Sequence, residues 1–250
     1  MSPTHEGVDL YLWGQPRGLL WPYPLICHLL DTSAMAISLW DGYISNGLQK
    51  CFATSLGVDA GSARLLSFWA GLHNIGKVTP CFQRMDSDAY ENLRGYSEAA
   101  DGKHRHDFAD RVWLSSALKD FGYDARRATS PAFIVAQLLG GHHGRFFPRD
   151  PNECRYPPTR LFPELGSGKW DLQREAMLQA VEQIVGSPPP PASIPAECAA
   201  LVCGIMILAD WLGQLSHGPS GLPAGTLQVL PSNLPSCSAM QDFHRHASGQ

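Results

Sequence analysis

The chain is predicted to fold as an all-α helical bundle, on three observations. Apolar residues recur at helical spacing in one segment after another, no alternating polar–apolar run of useful length is present, and no internal repeat appears. With 250 residues, 44% of them hydrophobic and 17% charged, the chain can bury one large core or two small ones.

The first helix is expected over about 24–43, where Leu25, Leu29, Met35, Ile37, Leu39 and Trp40 carry the apolar positions. A second is expected over 62–77, built on Leu65, Leu66, Phe68, Trp69 and Leu72. A third starts near Asp107, runs through Val112, Trp113, Leu114, Ala117 and Leu118, and stops at Gly122. Ser130-Pro131 then supplies an N-cap and a first-turn proline for a helix over 132–139, which ends at Gly140-Gly141. Proline and glycine dominate 150–168, which reads as a long loop before an amphipathic helix over about 171–185. A stiff spacer at 187–191 leads to an apolar helix over 196–215, by composition the most deeply buried. Residues 216–250, rich in Pro, Ser and Gly, read as a linker-like tail behind a folded unit at 1–215.

Charge and cysteine usage narrow the class. A formal net charge of -4 provides no global field to gather a polyanion, so phosphate contacts must come from a local patch or from bound cations. The seven cysteines form no Cys-x-x-Cys pair, which predicts reduced thiols in a cytoplasmic protein. The first residues, Met1 to Glu6, lack the basic stretch and apolar run of a secretory signal. The apolar run 199–212 is read as too short to span a bilayer, and it carries Asp210, so no membrane association is expected.

Six places carry metal-ligand types in or beside apolar helices: His28, His73, Asn74, His106, the pair His142-His143, and Asp210. Asp210 is the strongest on physical grounds. It has no basic residue within a helical turn, the next one downstream being His217, and a bare buried carboxylate costs several kcal/mol unless something cationic meets it. His142-His143 follows two glycines at a helix end, where the backbone can turn sharply and aim adjacent imidazoles in different directions. His28 lies in an apolar run with Asp31 one turn on, where that carboxylate either orients the imidazole or faces solvent. Taken singly, each has an ordinary structural reading, since a lone histidine in an apolar helix is more often a hydrogen-bonded core residue. Taken together, ligand types on four separated helical segments match the way helical bundles build dinuclear centres from inward-facing side chains. A set dominated by imidazoles favours Fe, Mn, Co or Ni over Ca or Mg.

The order Pro24-Leu25-Ile26-Cys27-His28-Leu29-Leu30-Asp31-Thr32, Trp69-Ala70-Gly71-Leu72-His73-Asn74-Ile75-Gly76-Lys77, a histidine near 106, Gly140-Gly141-His142-His143-Gly144, and Leu208-Ala209-Asp210-Trp211-Leu212 resembles the HD nuclease domain of the type I CRISPR-associated helicase-nuclease. The resemblance covers about residues 10–215. It implies an HD-domain (metal-dependent phosphohydrolase-like) bundle, one or two divalent transition-metal ions, and cleavage of single-stranded DNA exposed by the CRISPR surveillance complex in antiviral defence. By position, His28, His73, Asn74 and Asp210 would surround one metal and His106, His142 and His143 the second, with residue 74 bridging. His104 competes with His106, which is favoured because it immediately precedes an apolar helix. Lys77, read as lying on the same helical face as His73, would touch the scissile phosphate or would be a solvated helix-end lysine. Phe82-Gln83 matches the family pattern without an evident chemical role, and Gly213-Gln214 stands where the family usually has a small hydroxyl residue.

The chain departs from the pattern at Asn74, where the family motif carries the aspartate that bridges the two ions. A carboxylate between two cations cancels part of their charge, whereas an amide oxygen serves one of them weakly. The expected consequences are loss of at least one metal and a large fall in hydrolysis. The alternatives are an HD phosphohydrolase of nucleotides or cyclic dinucleotides, and a non-catalytic module that binds DNA or the complex. No Gly-x-x-x-x-Gly-Lys-Ser/Thr loop is present to hold ATP, so the helicase that usually follows this domain is expected in cis or in trans.

Overall fold

Pro24 sets the start of helix α1 (Leu25–Tyr43), whose inward face runs through Leu25, Leu29, Ala36 and Trp40 and also takes in His28. The computed structural model describes residues 7–15, 23–58, 61–97, 104–153, 155–186 and 188–215. The tail at 216–250 with His217, the first six residues, Lys103, Cys154 and Ser187 lie outside the described residues.

Helix α2 (Asn46–Leu56), which the apolar pattern does not announce, is capped by Ser45, whose side chain accepts the Leu48 amide, and stops at left-handed Gly57 (φ 66°). Helix α3 (Ser62–Leu72) packs along α1. Gly71 permits the approach, because a Cβ there would collide with Ser33 Oγ and lie 2.6 Å from Val181 Cγ1.

The expected 62–77 helix ends five residues early. At Asn74 the backbone leaves the helix (φ -126°, ψ 16°), and Ile75–Lys77 form a single 3₁₀ turn. That turn is held by α6 (His106–Ala117), where the Asp110 carboxylate accepts the Gly76 amide. Between them lie two one-turn helices, α4 (Pro80–Gln83) and α5 (Ser87–Tyr90). Helix α6 runs on through a 3₁₀ turn at Leu118–Phe121 and stops at left-handed Gly122 (φ 81°), as expected.

Helix α7 (Pro131–Leu139) begins at Ser130-Pro131, but the Ser130 hydroxyl accepts the Arg127 amide at 3.0 Å instead of an amide of the helix. Gly140 keeps right-handed geometry (φ -72°), so the double glycine is not a sharp turn. It is small because a Cβ would lie 2.5 Å from Asp107 O and 2.6 Å from Arg111 Cβ, where α7 packs on α6. The left-handed residue is Gly144 (φ 76°).

Within 150–168 the chain adds α8 (Pro158–Leu161) and a 3₁₀ turn (Pro163–Leu165), before α9 (Lys169–Val185) and α10 (Ala196–Leu215). Two strands, β1 (Trp13–Gln15) and β2 (Tyr23–Pro24), pair antiparallel and are too short to show an alternating pattern.

Helix α10 packs against α1, α7, α3 and α2. At 20 residues it is longer than its apolar run suggests, and it is apolar enough to cross a membrane by length and composition alone. It is not the most buried helix, since Leu208 and Trp211 are 41% and 60% exposed. Cys51, Cys198 and Cys203 are free thiols.

Candidate metal centre

Three helices meet at the first group of donors. His28 comes from α1, His73 caps the end of α3, and Asp210 comes from α10. Asp210 Oδ1 lies 3.3 Å from His28 Nε2 and 3.1 Å from His73 Nε2, so the carboxylate that lacked a local partner finds two imidazoles across the core. Gln214 Nε2 donates to the same oxygen at 2.8 Å, which gives the Gly213-Gln214 position a contact. Asn74 Nδ2 sits 2.9 Å from His28 Nε2 and touches His73 Nε2. All four residues are buried.

The second group is His106, the first residue of α6, with His142 and His143 beyond the end of α7. His106 Nε2 and His143 Nε2 are 3.1 Å apart. The two groups adjoin, with the His73 and His142 ring centroids 5.3 Å apart. Within each triad the ligand atoms lie within 4.8 Å of one another. Five of the six donors are buried or half-buried, whereas His143 is exposed, so the centre opens to solvent on the His143 side.

Hydrogen bonding prepares these donors for a cation. His73 Nδ1 donates to Ala70 O at 2.7 Å and His142 Nδ1 donates to Leu139 O at 2.5 Å, which leaves both Nε2 lone pairs directed into the centre. His142 Nε2 and Asn74 Oδ1 are buried and have no partner among the described residues. Burial, with Lys77 and His73 adding to it, lowers His28 to about 4, and burial likewise lowers His142 to about 3 and His106 well below its ordinary value, so these three imidazoles are neutral. Burial works to raise Asp210, but its contacts with His28 and His73 outweigh that and hold it ionised. Neutral imidazoles, one carboxylate and two orphaned buried atoms fit divalent cations. Asn74 can contribute only a neutral amide oxygen.

Lys77 stands beside these groups on the 3₁₀ turn and is 7% exposed, which overturns the solvated helix-end reading. The shared helical face with His73 also goes, because α3 has already ended. Lys77 Nζ donates to Gly14 O at 2.8 Å, and burial, opposed by Asp210 and Asp110, lowers it to about 8.

Gln83, fully buried, closes a circuit around that lysine. Its Oε1 accepts the Trp13 amide at 3.2 Å, and its Nε2 donates to Trp13 O at 3.0 Å and Lys77 O at 2.9 Å. Phe82 lies between Trp13, a tilted ring contact at 4.4 Å, and His106, an edge-on contact at 5.3 Å. The Phe82-Gln83 pair therefore ties β1, the lysine turn and α6 together.

His104 turns away from the centre to pair with Glu164 and stack on Phe108, while His106 joins the triad. Asp31 neither faces solvent nor needs a metal: it is buried and accepts the Tyr23 hydroxyl. Asp110 is a further buried carboxyl beside the lysine turn, pushed well above the usual carboxylate range by burial despite the Gly76 amide. The reasoning applied to Asp210 passes over it, because Arg111 is the next residue and His106 lies one turn back.

Fold and donors together define a helical domain with two adjoining candidate metal-binding groups where its helices meet. Residues 13–216 match the family model described as Cas3, HD domain, and the chain belongs to that family of CRISPR-associated HD nucleases. It is 27% identical over 248 residues to a CRISPR-associated nuclease/helicase Cas3 of Streptococcus thermophilus, an alignment covering 84% of this chain and 25% of the relative. The T. fusca Cas3-ATP crystal structure superposes with a TM-score of 0.77 at 35% identity, covering 96% of this chain and 26% of the other. A chain of a CRISPR RNA-guided surveillance complex in a pre-nicking state gives 0.75 at 35% identity, covering 98% and 28%. The chain thus spans about a quarter of the length of the curated relatives it matches. HD domains bind divalent metals, and the helical HD fold expected from the sequence is the one observed, with one short strand pair added to it.

Proposed function

We propose that this domain is a metal-dependent nuclease unit that acts on single-stranded DNA during CRISPR interference in the cytoplasm, and that Asn74 leaves it weakened. The observation that carries the reading is the pairing of two adjoining donor triads with a buried lysine in a centre open to solvent on one side. His28, His73 and Asp210 would hold one cation and His106, His142 and His143 the other, with Asn74 between them. A bound divalent cation supplies Lewis acidity toward phosphate oxygens and acidifies water. Lys77, held by Gly14 O at 2.8 Å, offers positive charge to a phosphate without the freedom of a surface lysine. The opening beside His143 favours a polynucleotide over a nucleotide enclosed in a pocket.

The partners follow the same reading. The relatives include nuclease/helicase proteins and a chain of a surveillance complex, which supports a helicase in cis or in trans and docking on such a complex.

Asn74 Oδ1 is the position at which a carboxylate would offset the charge of two cations, and the amide cannot do so. Wild type and Asn74→Asp should be compared by metal analysis after loading with Mn, Fe, Co or Ni, and by cleavage of a single-stranded oligonucleotide. The aspartate variant is expected to retain more metal per chain and to cut faster by more than the roughly 10- to 100-fold typical of groups one layer outside a metal site. Equal metal content and equal cleavage would overturn the bridging argument. Single-stranded DNA binding without cleavage in either protein would instead support a non-catalytic binding module.

A further inference from the structure

The loop that leaves the metal centre, residues 144–162, carries Arg145, Arg149, Arg155 and Arg160 against only Asp150 and Glu153. Glu153 is itself buried and spent on Arg111 at 2.5 Å. In a chain of net charge -4 this is a local excess of positive charge, placed beside the most exposed donor of the centre.

Aromatic rings are interleaved with these arginines in two ways. Phe147 and Phe162 anchor the loop, each packing its ring on Phe108 of α6 at 5.3 and 5.1 Å. Phe146 and Tyr156 do not: they are 57% and 38% exposed, and the Arg160 guanidinium covers the Tyr156 ring at 4.4 Å. Phe146 is nevertheless held in place. Its ring lies against the backbone of Gly141, where even a Cβ would approach its Cδ1 to 2.8 Å. A large apolar ring is thus kept in water at a hydrophobic cost, against the residue that precedes His142 and three positions along the chain from the exposed His143.

Resting on the nuclease reading above, we infer that Phe146 and Arg145 form the landing site for a single-stranded nucleic acid entering the metal centre, with Phe146 stacking on an unpaired base and Arg145 meeting the adjacent phosphate. An exposed ring beside guanidinium groups binds a strand through base stacking and phosphate charge together, without sequence preference. Duplex is disfavoured because its bases already stack on one another. Arg155, Tyr156 and Arg160 continue the same alternation of ring and charge along the loop.

The test is an equilibrium titration of the metal-free protein in EDTA, so that nothing is cut, against labelled oligo-dT and an abasic oligonucleotide of the same phosphate count. Phe146→Ala is expected to weaken oligo-dT binding by about 5- to 100-fold and to leave the abasic strand unchanged, while Phe146→Trp keeps the preference for bases. Arg145→Ala should make the slope of log affinity against log salt shallower by about 0.7. Tyr43→Ala, which removes a ring 76% exposed at the far end of α1, should change neither. If wild type binds and Phe146→Ala and Arg145→Ala match it on both strands, the landing site is overturned and the nuclease reading stands. If wild type binds neither strand, both the landing site and the single-stranded DNA reading fail. Melting curves of each variant separate a lost contact from a lost fold.

Discussion

Lys77 carries its charge where little water reaches it, and its burial is opposed only by more distant carboxylates at Asp210 and Asp110. Its value falls from 10.5 to about 8 on folding, so between those two pH values the unfolded chain holds a proton that the folded chain has released. Stability therefore rises with pH through that window, and below it the full cost of burying the ammonium is present. Lys77→Met removes this dependence. Urea melts of both proteins at pH 7 and pH 10 should show the methionine variant gaining relative to wild type at the lower pH, by on the order of 2 kcal/mol compared with the higher. A stability difference that does not change with pH would show that the lysine is not buried in its charged form. The same cost argues that the residue is there for chemistry, because a hydrophobic side chain of similar length would serve the fold better.

The lysine turn is held from three directions: Asp110 of α6 accepts the Gly76 amide, Gly14 O accepts the ammonium, and Gln83 grips the Lys77 carbonyl and both backbone groups of Trp13. Replacing Gln83 with leucine keeps the bulk and removes every one of the side-chain bonds, stranding the buried Trp13 amide. The expected cost is about 1–3 kcal/mol, since an orphaned buried donor loses its water without compensation. Hydrogen exchange should locate the damage, with the Trp13 amide exchanging faster while amides in α9 keep their protection. Uniform loosening of both would assign Gln83 an ordinary core role. Elements of this kind are poorly legible in a sequence. Strand β1 has three residues and the lysine turn has three, so neither is long enough for a periodicity. Helix α2 escapes for a different reason: its polar, lysine- and glutamine-bearing segment has few buried positions to mark a face.

At the scale of the whole molecule, the candidate metal centre is a junction. His28, His73 and Asp210 come from α1, the end of α3 and α10, and His106 and His142 from α6 and the turn after α7, so a cation in each group would together tie five helices at one junction. Binding to the folded state alone stabilises in proportion to the logarithm of free metal. Adding Mn, Co or Ni to metal-free protein should raise its melting temperature in a concentration-dependent way, EDTA should reverse this, and Asp210→Ala should abolish most of it; an Asp210→Ala variant with an undiminished shift would remove the triad from consideration. The histidines set the acid limit. His28 and His142 fall from 6.5 to about 4 and about 3 in the folded chain, so between pH 6.5 and those values the unfolded chain takes up protons that the folded one refuses. Stability of the metal-free protein is thus fully present above pH 6.5 and declines as pH falls through that window, and metal affinity declines with it.

Much of this was open to reading along the chain. The starts and stops of α1, α6, α7, α9 and α10 follow from apolar spacing, Ser130-Pro131 and Gly122, and the donors announce themselves because polar groups in apolar helices cost free energy wherever the chain takes them. Both signals are local, needing only a dozen neighbouring residues. Tertiary structure alone decided which of those groups meet. His73 reaches Asp210 across 137 positions and Gln83 reaches Trp13 across 70, distances over which no periodicity carries information. It also decided that His106 and not His104 turns inward, that α3 breaks at Asn74 because Asp110 holds the next turn, and that Lys77 is buried. The physical reason is the same in each case: the price of burying a polar group is a property of the residue, whereas the partner that offsets it is chosen by how the helices pack.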